Sequence, residues 1–439
     1  MQAWLDRYFG LTEKGVTVRT EVLAGFTTFL SMSYIVLVNP AILSQAGLPI
    51  VAVAAATCAS AAFASILMGL LANYPLALAP GMGLNAYFTF TVVKGMGVPW
   101  EVALGCVFIS GVCFLLMTFV GIRQLIVNSI PRPLYSAVAG GIGLFIAFIG
   151  LKEAGIIVAN SATTVSLGDL HSPVPLLALA GLLVIAVLNI LRVQGAVVIG
   201  ILATTALAWL FGVASFAPEP YQFSELTETA FKLDIPGALH IGGSGFGILE
   251  IIFVFLFVDL FDNVGTLVGV TKEAGLVKPD GTIPRLNRIL LADSIATLFG
   301  SFMGTSTVTS YVESATGVAA GGRSGLTAVV TGLFFLLVLF FAPYAQIIPA
   351  AATAPALILV GSLMMAPLAE IDWKDPLVAL PCFLTLAGIP LTFSIANGLA
   401  FGLTAFALLK LLSGKATKGD AMLFVLAALF VFRFAYLAG

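Results

Sequence analysis

Apolar runs, each close to the roughly 20 residues that a membrane-crossing helix requires, follow one another along this chain, separated by Gly, Pro or charges. They predict spans over 21–43, 51–72, 75–93, 101–121, 132–151, 173–191 and 195–216. A polar interval, 217–245, follows, and then spans over 247–271, 285–303, 304–321, 325–348, 352–368, 376–390 and 391–413. A further apolar run, 421–437, comes last. About seven spans on each side of the polar interval would give the second set the opposite orientation, an inverted repeat of the kind that recurs in transporters.

The third span of each set is unusual. The first reads PLALAPGMGLNAYF from Pro75, with Pro80, Gly81 and Gly83 at its centre, and the second reads GTSTVTSYVESATGVAAGG from Gly304 to Gly322. Gly and Pro interrupt a helical ladder, and clustered Ser and Thr compete for its backbone bonds. Unpaired backbone at membrane depth is tolerated only where it is buried in protein or lines a cavity. Small residues can also serve close helix packing, but a matched pair of broken spans points to a binding site.

Composition agrees with this reading. Of 439 residues, 60% are hydrophobic and 9% charged, with a mean hydropathy of +1.11, whereas soluble domains carry roughly 25% charged residues. A net charge of −2 gives no electrostatic footprint for nucleic acid. Cys58, Cys106, Cys113 and Cys382 lie in apolar runs without a CxxC and read as small core residues, so neither a metal nor another cofactor is expected. The charged N-terminal stretch lacks the pattern of a cleavable signal, and the first span is expected to act as its own membrane signal.

Orientation follows from the basic loops. Arg7, Lys14, Arg19, Arg123, Arg132, Arg192, Lys272, Lys278, Arg285, Arg288 and Arg323 fall on one side, and the interval with Glu219, Glu225, Glu228 and Asp234 against Lys232 falls on the other. The N-terminus is therefore expected in the cytoplasm, in a multi-pass protein of the cell membrane. Lys410, Lys415 and Lys418 also land inside if the last two of the fourteen spans cross, leaving 421–437 as an extra element.

The candidate chemistry is carboxylate. Asp259, Asp262 and Asn263 interrupt the apolar run GILEIIFVFLFVDLFDNVGTLVGV, and a charge at the bilayer centre costs about 2.5–3.5 kcal/mol on insertion scales. Asp259 and Asp262 are three apart on one helix face. Two carboxylates so placed do not both ionise readily, which suits proton coupling. Glu313 lies in the second broken span beside Tyr311 and among Ser306, Thr307, Thr309, Ser310 and Ser314. It could accept bonds from the ring N–H groups of a planar ligand, with Tyr311 offering a stacking face. Asn85 occupies the corresponding place in the first broken span and supplies a donor and an acceptor. With no Arg or Lys in either broken span, the set suits a small polar heterocycle better than an inorganic anion. Glu21 and Glu153 at span ends read as anchors, and Glu250 as interfacial. His171 and His240 fall in outer intervals, away from any intramembrane relay. GGSGFG at 242–247 lacks the strand–helix context of a nucleotide loop.

The stretches GFTTFLSMSYIVLVNPAIL (25–43), PGMGLNAYF (80–88), VDLFDNVGTL (258–267), GTSTVTSYVESATGVAAGGRSG (304–325) and PALILVG (355–361) resemble the AzgA-like branch of the nucleobase–cation symporter-2 family, the adenine/guanine/hypoxanthine permeases. The resemblance runs over essentially the whole chain. It implies an all-α polytopic fold of about fourteen transmembrane segments in two inverted repeats, with short antiparallel strands in the third and tenth. It also implies a core domain (21–121 and 247–348) and a gate domain (132–216 and 352–413). Outside these lie a cytoplasmic segment (1–20), an extracellular interval (217–246) and an apolar C-terminal segment (414–439). By the same resemblance Asp262 and Glu313 hydrogen-bond a purine, Asn85 contacts or positions it, and Asp259 is a further essential carboxylate. Family members are proton symporters that move substrate by an elevator motion, often as homodimers in the lipid bilayer. The uracil and xanthine branches carry a glutamate where Asp262 stands, which favours adenine, guanine and hypoxanthine here.

The alternatives are a related carrier for uracil, xanthine or a small anion, an intramembrane aspartyl protease, and a channel. A protease would place its two aspartates on different helices, whereas Asp259 and Asp262 share one. Buried titratable groups suit a coupled carrier better than a pore.

Overall fold

The computed structural model describes residues 2–120, 131–214, 223–240, 246–278 and 283–436. Arg123, Glu219, residues 242–245 of the GGSGFG fragment and the side chain of Glu250 lie outside the described residues. Helices follow the apolar runs: α1 Gln2–Phe9, α2 Val18–Met32, α3 Ile35–Leu43 and α4 Ile50–Leu71. The first broken segment holds strand β1 (Leu78–Pro80), helix α5 (Met82–Ala86), a π-helical stretch Tyr87–Val93 and a closing turn Lys94–Met96. Next come α6 (Trp100–Val120), α7 (Arg132–Glu153), an exposed hairpin of β2 (Ile157–Asn160) and β3 (Thr164–Leu167), α8 (Pro173–Ile190) and α9 (Ala196–Leu210). The second set comprises α10 (Phe246–Glu273), α11 (Leu286–Met303), β4 (Val308–Ser310), α12 (Ser314–Ala319), α13 (Gly325–Val338), α14 (Ala350–Leu363), α15 (Pro376–Leu391) and α16 (Ile395–Leu412). Helix α17 (Ala421–Tyr436) closes the chain. Among the described residues, eight helical stretches are long and apolar enough to cross a bilayer, and four shorter apolar ones accompany them.

The helices pack in two groups. Helix α13 lies against α4 and α2, α11 against α6 and α4, and α12 against α2. Separately, α14 lies against α7, α8 and α9, and α15 against α16 and α7. Within each group the closest approaches are backbone to backbone at glycine. A Cβ on Gly69 would sit 2.3 Å from the carbonyl oxygen of Gly325, and one on Gly325 would sit 2.1 Å from that of Gly69. In the second group Gly143 and Gly361 meet in the same way, at 2.5 and 2.4 Å from each other's carbonyl oxygens.

The first predicted span is one helical stretch, Val18–Ala46, interrupted by a turn at Ser33 and Tyr34. Helix α2 ends at Met32 and α3 begins at Ile35. The Ser31 and Ser33 hydroxyls donate back to the carbonyls of Thr27 and Leu30 at 3.0 Å each, the kind of back-bonding that bends a helix. Tyr34 stands in the break, 2% exposed.

Glu21 differs from its reading as an anchor, because it is fully buried. Its carboxylate accepts bonds from the amides of Arg323 (2.8 Å), Ser324 (3.1 Å) and Thr327 (3.2 Å) and from the Thr327 hydroxyl (2.6 Å). Asn73 adds its Oδ1 as acceptor for the Gly325 amide at 2.7 Å. The open amides at the start of α13 are thus met by a carboxylate from α2 and an amide from the end of α4. Glu21→Ala would leave several buried donors unmet, at about 1–3 kcal/mol each. We expect a lowered melting temperature in detergent, with a smaller loss for Glu21→Gln, which keeps an acceptor. An unchanged melting temperature in Glu21→Ala would contradict the clamp.

Helix α17 packs on α16, and the two are tied by the Lys410–Asp420 ion pair at 2.5 Å. The Lys410 hydrogen bond, helped by Thr417, holds the Asp420 carboxyl down to about 2.

Candidate functional site

The two broken segments meet in the middle of the first helix group. Strands β1 and β4 pair antiparallel, Leu78 with Ser310, Ala79 with Thr309 and Pro80 with Val308. The pairing continues at both ends, from the Gly81 amide to the Thr307 carbonyl (2.9 Å) and from the Tyr311 amide to the Ala77 carbonyl (3.0 Å). Two stretches that cannot satisfy their own backbone therefore satisfy each other, which is what irregular backbone at membrane depth requires. The outer edges are sealed alike: Ser65 of α4 donates to and accepts from Leu78, and Thr297 of α11 does the same for Val308.

This ribbon has a local two-fold axis at the Ala79–Thr309 pair.

Helix α10 lays Asp262 and Asn263 against the ribbon. A Cβ on Gly81 would stand 3.6 Å from Asp262 Oδ2 and 2.9 Å from the Thr309 methyl, so the strand end, Asp262 and Thr309 lie in close contact. Ser310 donates to Asn263 Oδ1 at 2.7 Å. Ser306 donates to Asn85 Oδ1, tying the first broken segment to the second a further time. The Tyr311 hydroxyl donates to the Pro80 carbonyl at 2.5 Å. Tyr34 donates to Glu313 Oε1 at 2.5 Å. Asn85 Nδ2, Asn263 Nδ2 and the Thr307 and Thr309 hydroxyls are buried without a hydrogen-bond partner among the described residues.

The structure brings Asp262, Glu313, Asn85 and Tyr311 into one region. Asn85 is fully buried and Tyr311 is 6% exposed, whereas Asp262 and Glu313 are only partly buried. Asp262 and Glu313 are thus the two members of the set that keep some exposed residue surface. Asp259, one turn before Asp262 on α10, is 1% exposed and lies behind it.

Sequence reasoning missed three groups here. Asp293 of α11 is a fully buried carboxyl residue. The signal was available, since Asp293 stands in an apolar run just as Asp259 does. Tyr34 carried no signal, being one aromatic residue in an apolar span. Asn39 of α3 was passed over as well; it donates to Thr57 at 2.7 Å and to Thr305 at 3.0 Å, bracing the loop before β4.

No Lys or Arg is among the residues that form this site, and no group of three or more potential metal ligands occurs among the described residues. A surface groove of about 430 Å³ between α16 and α17 is lined by apolar residues such as Leu408, Phe424 and Val431 and carries no titratable group.

The model of the permease family Xan_ur_permease matches residues 19–396. The chain belongs to that family. The permease is 44% identical to the adenine permease AdeP of Escherichia coli (strain K12), over 99% of this chain and 97% of AdeP. It is also 44% identical to the guanine/hypoxanthine permease PbuG of Bacillus subtilis (strain 168), over 99% of this chain and all of PbuG. Among solved structures, the transmembrane domain of the cyanobacterial bicarbonate transporter BicA superposes with a TM-score of 0.64, covering 88% of this chain and 97% of that one at 16% identity. At that identity the likeness concerns the fold. The permease is thus an integral membrane transport protein of the nucleobase–cation symporter-2 kind and not an enzyme.

Proposed function

We propose that the chain imports purine nucleobases (adenine, guanine and hypoxanthine) by proton symport. The observation that carries the reading is the pair of carboxylates, Asp262 and Glu313, gathered at the ribbon between two broken segments. A purine presents ring and exocyclic N–H groups, and a carboxylate accepts such bonds strongly. The absence of a cation in the site disfavours an anionic substrate. The relatives that cover nearly the whole chain are named for adenine and for guanine/hypoxanthine.

In this reading Asp262 and Glu313 bind the base, Asn85 positions it by bracing β4 through Ser306, and Tyr311 presents its ring. Asp259, Asp262 and Glu313 carry the coupling proton. The chain crosses the cell membrane in about fourteen segments as two inverted repeats, with the N-terminus in the cytoplasm. The group containing the ribbon is the core, the group containing α7 and α14 is the gate, and the core moves against the gate as an elevator. A homodimer is the expected assembly.

Uptake of labelled adenine, guanine and hypoxanthine into proteoliposomes tests the proposal. An inward proton gradient should drive accumulation, and a protonophore should abolish it. No purine uptake under any gradient would sink the substrate reading, and uptake indifferent to the gradient would sink the coupling.

A further inference from the structure

The purine reading leaves open what holds Glu313 still. Glu313 follows strand β4 after two residues and precedes α12, so no regular element fixes its side chain. It is partly exposed, and a glutamate with three rotatable bonds loses much freedom when it is held in one pose. Any ligand that had to supply that ordering would bind more weakly.

Among the described residues, one side-chain hydroxyl reaches it. Tyr34 donates to Glu313 Oε1 at 2.5 Å, within the range of a charge-assisted O–H···O⁻ bond. Tyr311, the nearer residue in sequence, is not free for this task, because its hydroxyl is spent on the Pro80 carbonyl. Tyr34 is itself held firmly. It is 2% exposed and sits in the break between α2 and α3. The wall that carries it meets α12 closely: Thr316 donates to the Ser31 hydroxyl at 3.0 Å, and a Cβ on Gly317 would lie 2.0 Å from the Thr28 hydroxyl. The tyrosine and the glutamate thus stand on segments that cannot shift independently.

We propose that Tyr34 is a positioning residue for substrate: it anchors one oxygen of Glu313 and leaves the remaining acceptor capacity of the carboxylate aimed at a ligand N–H group. The inference rests on the purine reading for its ligand, but the Tyr34–Glu313 link stands without it.

Tyr34→Phe removes the hydroxyl and keeps the ring. The expected result is a KM for purine uptake raised about 10-fold or more, with Vmax within about 2-fold of wild type and unchanged membrane level and melting temperature. In a Glu313→Asp background, where the shortened carboxylate withdraws from the hydroxyl, Tyr34→Phe should add less than about 2-fold. An unchanged KM in Tyr34→Phe would overturn the proposal, as would an equal loss in both backgrounds. So would a melting temperature that falls together with Vmax, which marks a purely structural role. A ligand-independent reading separates this proposal from the substrate question. The infrared carboxyl band assigned to Glu313 by its loss in Glu313→Gln should shift in Tyr34→Phe in the protein without substrate. A band that does not move would overturn the link even if purine uptake is robust. A shifted band in a protein that takes up no purine would uphold the link and condemn the substrate reading alone.

Discussion

Asp262→Ala and Glu313→Ala should each abolish saturable purine binding while the protein still reaches the membrane at wild-type levels. A hydrogen bond to a charged group contributes about 1.5–3 kcal/mol, and each 1.4 kcal/mol is a factor of ten. Losing the contacts of one carboxylate should therefore weaken binding by about 100-fold or more. The Glu313 variant carries a second penalty, because the buried Tyr34 hydroxyl loses its acceptor. Scintillation proximity binding with labelled adenine and guanine, normalised to protein in the membrane, measures both. Wild-type affinity in either variant would remove that carboxylate from the site. Neither substitution should unfold the protein, since both side chains are partly exposed and the ribbon is built from backbone bonds.

The opposite outcome is expected at Gly69. Alanine there would set a Cβ 2.3 Å from the Gly325 carbonyl oxygen and 3.1 Å from the Val329 amide nitrogen. These are backbone atoms of a helix in close contact, so no side chain can rotate away. Helices α4 and α13 would have to separate along their length, and overpacking of this kind costs about 1–3 kcal/mol for a single methyl group. Gly69→Val should cost more and leave little folded protein. Gly269→Ala on α10 is the control, since no described atom lies within 4 Å of that Cβ and alanine is the better helix former. Thermal unfolding followed by size-exclusion fluorescence reads both. A Gly69→Val protein as stable as wild type would mean that the two helices are not welded as described.

Much of the architecture was legible in the chain because bilayer thickness sets a period that apolar runs must meet, and the helices track those runs. The two broken segments were legible for a related reason, since Pro80, Gly81 and the Ser/Thr cluster around Glu313 cannot sustain a helix. What they do instead was not legible from composition. The register of β1 on β4 joins residues far apart in sequence, and it depends on Ser65 and Thr297 sealing the edges. The gathering of Asp262 and Glu313 followed from treating costly charges as purposeful. The same rule applied to Asp293 would have found it. Glu21 misled because its neighbours in sequence say nothing of the helix N-terminus it meets some 300 positions later. Tyr34 is invisible for the plainest reason: an aromatic residue in an apolar span looks like core until its hydroxyl is seen.

The glycine contacts bear on how the molecule can deform. Where Gly25, Gly69 and Gly325 set backbone against backbone, and again where Gly143 meets Gly361, there is no room even for a methyl group between the helices. Each helix group therefore resists shear. The boundary between the groups is made differently. The nearest atoms to a Cβ on Gly83 would be those of the Ile142 side chain, and Phe393 meets Phe90 in a T-shaped ring contact. Among the described residues, polar bonds there include Thr91 to the Phe393 carbonyl at 2.8 Å and Gln45 to Glu153. Side chains thus dominate the contacts named at that boundary, and if the two groups move against each other in the proposed transport cycle, the ribbon and its two carboxylates would travel with the first group.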